Sequence, residues 1–363
     1  MAHTAFFMYA PHALAAGWLG GAYIKSDACA TQETRSRPVS KALSLIEGFS
    51  KKRVLLLGDT ILDVYVYGQA MGKSAETPTI VAKEIETKFS LGGAFLVARN
   101  LVELGGQVTF LTMVGDDAEA DYVRSFNHER LQKFLLIDSR RRTTTKKRYW
   151  VDGYKLLQFD TVDNSPISED LKRAATNQMH SVLPEQDVVV VADYRHGLLS
   201  PPLIKEALQL VKQSGKSLFV DSQLSQSAAN HLLYYGADAF CLNLKEARAI
   251  DPEFEPGHEL ACFAQLSSKL GATRVIVKLG EDGCVAAIGG QLYRSRALKV
   301  SAVDTCGAGD AFLAALSLSG LEFPAEALRI ANAWAALSTQ IHGANPPSRP
   351  DLLRAICEGS SDP

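Results

Sequence analysis

From Lys51 onward, short apolar runs alternate with longer stretches of helical spacing. Arg53–Leu57 (RVLLL) closes on Gly58-Asp59, as a buried strand does where it meets its loop. Asp187–Ala192 (DVVVVA) is the clearest central strand, because its valines are apolar on both faces. Val108–Val114, Ser217–Asp221, Ala239–Leu242 and Arg274–Lys278 repeat the pattern, each near a helical segment. Ala94–Leu104 carries helical periodicity and stops at Gly105-Gly106, a C-cap signal. The alternation predicts an α/β fold with three αβα layers and a mostly parallel central sheet covered on both faces. Residues 63–90 and 143–160 interrupt it with strand-like sequence and no helix between; 79–87 (TIVAKEIET) partly alternates. They form either a small second sheet, placed to act as a lid, or extra edge strands of the main sheet.

Residues 1–50 read as an N-terminal extension, poorly ordered. Met1 to Ile24 holds no Lys, Arg, Asp or Glu, and 31–41 (TQETRSRPVSK) reads as a polar linker. Ala28-Cys29-Ala30 imitates a secretory cleavage site, but the basic n-region is missing and Lys25 and Asp27 flank the site. The 363 residues carry a formal net charge of -2 and 47% hydrophobic residues, so a full core is available. That balance argues against nucleic-acid binding and against an acidic disordered chain. No apolar run is long enough for a membrane span. Six cysteines, at 29, 241, 262, 284, 306 and 357, form no CxxC pair. Reduced thiols in a cytoplasmic protein are the simplest expectation.

The densest chemistry lies in Val303-Asp304-Thr305-Cys306-Gly307-Ala308-Gly309-Asp310, directly before the helix-compatible run Ala311–Ser319. Small residues before a helix let backbone N–H groups point at an anion, and the helix dipole adds positive potential there. Asp310, in the first turn, either caps the helix or takes a proton from a hydroxyl attacking a phosphoryl group held by those amides. Spacing alone favours the cap; the longer DTxGAGD string is far more specific.

That string resembles the second signature of the ribokinase/PfkB family of carbohydrate kinases. Leu91–Asp117 (LGGAFLVARNLVELGGQVTFLTMVGDD) is similar to the first signature. Gly58-Asp59-Thr60-Ile61-Leu62-Asp63 resembles the opening strand and loop that presents a sugar-binding aspartate; Asn243-Leu244-Lys245-Glu246 resembles NxxE; Lys278-Leu279-Gly280-Glu281-Asp282-Gly283 resembles K-x-G-x-x-G. Ala331-Asn332-Ala333 and Gly343-Ala344 resemble the adenine region, and all these motifs follow in family order over about 51–350. The resemblance implies a ribokinase-like kinase domain over 51–358 and an ATP-dependent sugar kinase, a phosphotransferase with an alcohol group as acceptor. In it Asp310 is the catalytic base, with Gly307, Ala308 and Gly309 as the anion hole. Asp63, Gly92, Gly93, Asp59 and Arg148 meet the sugar. Asn243, Glu246, Lys278, Gly280, Gly283 and Asn332 meet the nucleotide. Glu246 holds Mg²⁺ through water, and Asp304 and Thr305 match positions of a monovalent-cation (K⁺) site. A homodimer through the lid follows by the same analogy. From the residues alone, the Asn243/Glu246 spacing equally permits a capping box, and Asp63 a local loop cap.

Within the family, Ser74-Ala75-Glu76-Thr77-Pro78, Thr144-Thr145-Lys146-Lys147-Arg148, Leu156-Leu157-Gln158-x-Asp160 and Asp193-Tyr194-x-x-Gly197 resemble the phosphoheptose (D-glycero-D-manno-heptose 7-phosphate) kinase branch. Six of the nine residues 140–148 are basic, either a solvated edge or a lid gripping a sugar phosphate. Two departures concern the substrate. The branch's sugar-facing Asn is Leu96, and its D-P-K is Asp221-Ser222-Gln223. The chain is expected to lack the nucleotidyltransferase domain sometimes fused to this branch. Walker, protein-kinase, GxGxxG dehydrogenase and HExxH strings are missing. His196 is the most notable histidine, read as a loop residue or a substrate neighbour. Two other readings stay open: a kinase for an unphosphorylated sugar or nucleoside, and a catalytically silent sugar-binding regulator on the same fold.

Overall fold

The computed structural model describes residues 40–224, 229–257 and 259–358. Helix α1 spans 40–48. There follow β1 (Arg53–Gly58), β2 (Thr60–Lys73), β3 (Ile80–Gly93), α2 (Ala94–Glu103), β4 (Gln107–Val114), α3 (Ala118–Ser125), β5 (Leu131–Ile137), β6 (Thr145–Val151) and β7 (Tyr154–Thr161). The second half contains α4 (Glu169–Val182), β8 (Val188–Asp193), α5 (Pro201–Ser214), β9 (Ser217–Ser222), β10 (Ala239–Asn243), α6 (Leu244–Ile250), α7 (Ala264–Leu270), β11 (Arg274–Lys278), β12 (Cys284–Ile288) and β13 (Gln291–Ser295). Three helices close the chain: α8 (Ala308–Ser319), α9 (Pro324–Ser338) and α10 (Arg349–Glu358).

The main sheet runs β13-β12-β11-β10-β9-β8-β1-β4-β5. It is parallel from β11 to β5, and the β12–β13 hairpin is antiparallel at the edge. Strand β8 is buried along its whole length, as continuous valines require when helices cover both faces. One face packs on α1, α2, α8, α9 and α10, the other on α4 to α7. Strand order reverses where β1 meets both β4 and β8, and the crevice outside the carboxyl ends of such strands is where α/β sheets place ligands.

The interrupting stretches form a separate four-stranded sheet, β3-β2-β6-β7, and are not edge strands of the main sheet. Period-2 alternation separates its faces. Asp63 pairs with Lys146 and Tyr65 with Arg148, so these four share one face, while Val64 and Val66 pair with Lys147 and Tyr149 on the other.

The boundary expected at residue 50 needs correction. Ala42, Ile46 and Phe49 are fully buried in the core, and Arg349 donates to the Ile46 carbonyl at 2.9 Å. Apolar residues at i, i+4 and i+7 give this segment a core-facing stripe, which the polar linker before it concealed. Residues 1–39, including the cleavage-site imitation, lie outside the described residues. No helix among the described residues is long and apolar enough to cross a membrane.

Candidate active site

Helix α8 begins at Ala308, three residues before the run that its apolar pattern marked out. Gly307 is its N-cap, in left-handed backbone (φ 84°), with no side-chain cap. A Cβ at Gly307 would lie 2.5 Å from Leu96 Cδ2, so glycine is needed both for the backbone angle and for the contact with α2. The first i→i−4 bond is Ala311 N to Gly307 O (2.9 Å), so the N–H groups of Gly309 and Asp310 belong to the open first turn, while that of Ala308 donates weakly to the Thr305 carbonyl (3.4 Å).

A cleft of about 330 Å³ opens in front of this turn. Gly307, Ala308, Gly309, Asp310, Asn243, Glu246, Lys278, Gly280, Gly283 and Asn332 all line it, joined by Asp221 and Gln223. Segments far apart in the chain therefore converge because the carboxyl ends of β9, β10 and β11 face the amino end of α8.

The electrostatics of the cleft are coupled. Asp310 sits with its carboxyl pushed up to about 7, by burial first and by Asp221 and Asp63, against the hydrogen bond from the Tyr194 hydroxyl and the charge of Lys278. Lys278 Nζ pairs with Asp221 Oδ2 at 2.5 Å. Burial alone would lower the Lys278 amine, but Asp221 and Glu246 together hold it above its ordinary value. Glu246 is likewise raised to about 7, by burial and then by Asp221. Asn243 and Glu246 form the full capping box: Asn243 Oδ1 accepts from Glu246 N (2.9 Å), and Glu246 Oε2 accepts from Asn243 N (2.8 Å). Capping and cleft lining coexist, because the N-terminus of α6 is itself the cleft wall. Asn332 donates to the Ser295 carbonyl (2.9 Å) and so ties α9 to β13.

Asp63 and Arg148 come from the small sheet. Their side chains pair at 2.5 Å, and Arg148 also stacks over the Tyr65 ring, 5.2 Å from its centroid. Burial raises the Asp63 carboxyl despite Arg148. Gly92 leaves the room Asp63 needs, since a Cβ there would sit 2.1 Å from Asp63 Oδ2. Gly93 is the N-cap of α2.

Several expected site residues have other work. Asp59 is buried, and its carboxylate accepts the N–H groups of Tyr194, His196 and Leu198 (3.1, 3.2 and 3.2 Å), so it clamps a loop rather than offering oxygens to a sugar. Asp304 accepts from Cys306 N (3.0 Å) and Gly343 N (3.2 Å), so its carboxylate also holds loop geometry, and the Ala308 N–H donates to the Thr305 carbonyl at 3.4 Å. The basic run 140–148 disperses. Arg140 and Arg141 both bond Asp138; Arg141 is 5% exposed and also holds the carbonyls of Asp163 and Ser165. Arg142 pairs with Glu119, and Lys147 lies on the far face of its strand. Only Lys146 and Arg148 share the face of Asp63, because a strand turns alternate residues away. His196 bonds Asn164, and burial, with Lys146, lowers its imidazole to about 4.

The residue without an assigned task in the sequence is Tyr194, partner of Asp310. Its position directly after the clearest central strand is the signal that the sequence offers for it.

The description "pfkB family carbohydrate kinase" matches residues 51–351. The chain is similar to the "Bifunctional protein HldE" of Paramagnetospirillum magneticum, 32% identical over 309 residues, covering 81% of this chain and 62% of that protein. It is also similar to the HldE of Rhodopseudomonas palustris, 30% identical over 328 residues, covering 88% of this chain and 66% of that protein. The chain thus spans less than two thirds of the length of these curated relatives. Among solved structures, Arabidopsis thaliana ribokinase complexed with ribose and ATP superposes with a TM-score of 0.64 at 20% identity, over 84% of this chain and 98% of that one. Escherichia coli phosphofructokinase-2 in complex with fructose-6-phosphate superposes at 0.65 and 20% identity, over 85% and 98%. The two structures establish the ribokinase-like fold. The matched profile over most of the length, on a chain whose NxxE, K-x-G-x-x-G and DTxGAGD motifs line one cleft, means that the chain belongs to the pfkB family of carbohydrate kinases, phosphotransferases that act on an alcohol group of a sugar.

Proposed function

We propose that the chain transfers the γ-phosphate of ATP to a hydroxyl of a sugar that already carries a phosphate, of the heptose-phosphate class. Asp310 removes the proton of the acceptor hydroxyl; the acceptor oxygen attacks the γ-phosphorus, and the bond to the β-phosphate oxygen breaks to release ADP. The amides of the first turn of α8 bind the equatorial oxygens, and Lys278, beside Gly309, adds positive charge. Asn332, Gly280 and Gly283 border the nucleotide. Mg²⁺, if bound with ATP, would supply neutralisation of the phosphate charge. Glu246, with Asp221 beside it, would fit such a cation through water, since two carboxylates face the cleft. A K⁺ ion would draw on the Asp304 carboxylate and on carbonyls near Thr305.

The observation that carries the phosphosugar reading is the placement of Arg148 and Lys146 on the face of the small sheet that also presents Asp63. A sugar phosphate entering there takes Arg148 for its phosphate and frees Asp63 for ring hydroxyls. The small sheet then acts as the lid that excludes water. The HldE relatives support the heptose class. Sugar-dependent ADP release over a panel of phosphorylated and free sugars tests it. Turnover is expected with a phosphorylated heptose-like sugar, and equal turnover with the free sugar would defeat the phosphate requirement.

The opposite face of the lid leaves Phe89, Leu157 and Phe159 46%, 54% and 63% exposed. A second copy of the chain covers this apolar face in the proposed dimer, which works in the cytoplasm; Phe159→Glu should yield monomers by native mass spectrometry.

A further inference from the structure

Asp310 has a partner for which the kinase chemistry above makes no use. The Tyr194 hydroxyl donates to Asp310 Oδ1. Tyr194 sits in the loop after β8, beside the point where strand order reverses, and that loop is anchored from two sides. Asp59 accepts its N–H groups at 194, 196 and 198. Asp193 accepts from Arg195 N (2.8 Å), Ser222 Oγ (3.0 Å), Asn230 Nδ2 (2.7 Å) and the Tyr234 hydroxyl (2.8 Å). Between these anchors Arg195 takes left-handed backbone (φ 63°), a conformation that persists for a non-glycine residue only where surroundings over-determine it. Tyr194 also packs against the main core. The phenol is therefore held in place rather than drifting at the surface.

We propose that Tyr194 is a positioning residue for phosphoryl transfer: its hydroxyl fixes the Asp310 carboxylate through Oδ1 and directs the acceptor's proton to Oδ2. The proposal rests on Asp310 being the base. A donated hydrogen bond also favours the charged carboxylate, which opposes burial. The other groups facing Asp310 are Asp221 at the end of β9, Lys278 at the end of β11, Asp63 in β2 and Cys306 in its own loop. Tyr194 itself is held protonated by burial and by the Asp310 charge, so it remains a donor at working pH.

The test compares wild type with Tyr194→Phe. A lost hydrogen bond to a charged group should lower kcat by about 10- to 100-fold, with KM for ATP and sugar within about twofold, and move the acid limb of the kcat profile up by about one pH unit. An unmoved profile overturns the proposal. A second readout needs no turnover: the Asp310 carboxyl is titrated by ¹³C NMR, with its resonance assigned through Asp310→Asn. The midpoint should rise in Tyr194→Phe. If it moves while wild type phosphorylates no sugar, the kinase reading fails and the contact stands; if it does not move in a folded variant, the positioning role fails whatever the turnover. Should Tyr194→Phe not fold, 3-fluorotyrosine at 194 provides a stronger donor and must lower the midpoint; an unchanged value overturns the proposal.

Discussion

Arg148 Nη1 lies 2.5 Å from Asp63 Oδ1, although the two residues are 85 positions apart on different strands of the small sheet. Both lie on one face of that sheet, where each is the other's partner. Arg148→Ala should raise KM for a phosphorylated sugar by about tenfold or more, since a charge-assisted bond to phosphate is lost, while KM for ATP stays unchanged. Steady-state kinetics with both substrates varied checks it. An unaltered sugar KM would remove Arg148 from the phosphate site.

Asp310→Asn should keep ATP affinity, measured by calorimetry, and lose about 10²–10⁴ in kcat. The first-turn amides and Lys278 remain, so binding and chemistry separate. Turnover close to wild type would show that another group takes the proton.

The same carboxyl links activity and stability to pH in opposite directions. Its folded value, about 7, lies above the ordinary 3.8, so the folded state holds a proton that the unfolded chain has released. Its stabilising contribution is complete below about 4 and declines as pH rises through 7. Glu246 behaves alike, from 4.5 to about 7. The base must be ionised to act, so kcat should climb over the interval in which stability falls. Asp310→Asn should melt higher than wild type at pH 8, by about 2 °C or more for a domain of this size, and the gap should close at pH 5. Equal melting curves at pH 8 would mean that the carboxyl is not held up by burial.

Gly307→Ala should cut kcat sharply, because its Cβ would meet Leu96 Cδ2 at 2.5 Å in a left-handed backbone. The double variant Leu96→Ala/Gly307→Ala relieves the clash and should recover part of the turnover; the backbone strain, about 1 kcal/mol, remains. No recovery would place the whole effect in the backbone angle.

Arg141→Ala should destabilise the fold by about 1–3 kcal/mol in urea unfolding, since it takes one of two guanidinium partners from buried Asp138 and leaves four carbonyl contacts unmade. Arg142→Ala, whose side chain is exposed, should change stability by less than about 1 kcal/mol, and neither should raise sugar KM. A raised sugar KM in a stable Arg142→Ala protein would restore the phosphate-gripping role to the whole run.

What could be read along the chain was whatever depends on near neighbours. The valines of β8, the helical spacing of α2 and the small residues before α8 each specify local structure by period or by backbone freedom, and the order of these elements is enough to specify a layered α/β fold. The DTxGAGD string located the helix start that lines the cleft for the same reason: a helix start and its carboxylate lie within one turn. What only folding decided was how polar side chains were shared out. Asp59 and Asp63 are four residues apart and equally acidic, yet one closes on three loop amides and the other faces Arg148. Six basic residues look like one patch in a row, but strand alternation and the buried Asp138 leave two of them on the face of Asp63. Residues 40–48 looked like a tail until α10 and the core closed over them. Tyr194 meets Asp310 across 116 positions. Hydrogen bonds and ion pairs are short-ranged and exclusive, so a side chain's task depends on which distant group reaches it, and only the folded chain supplies that group.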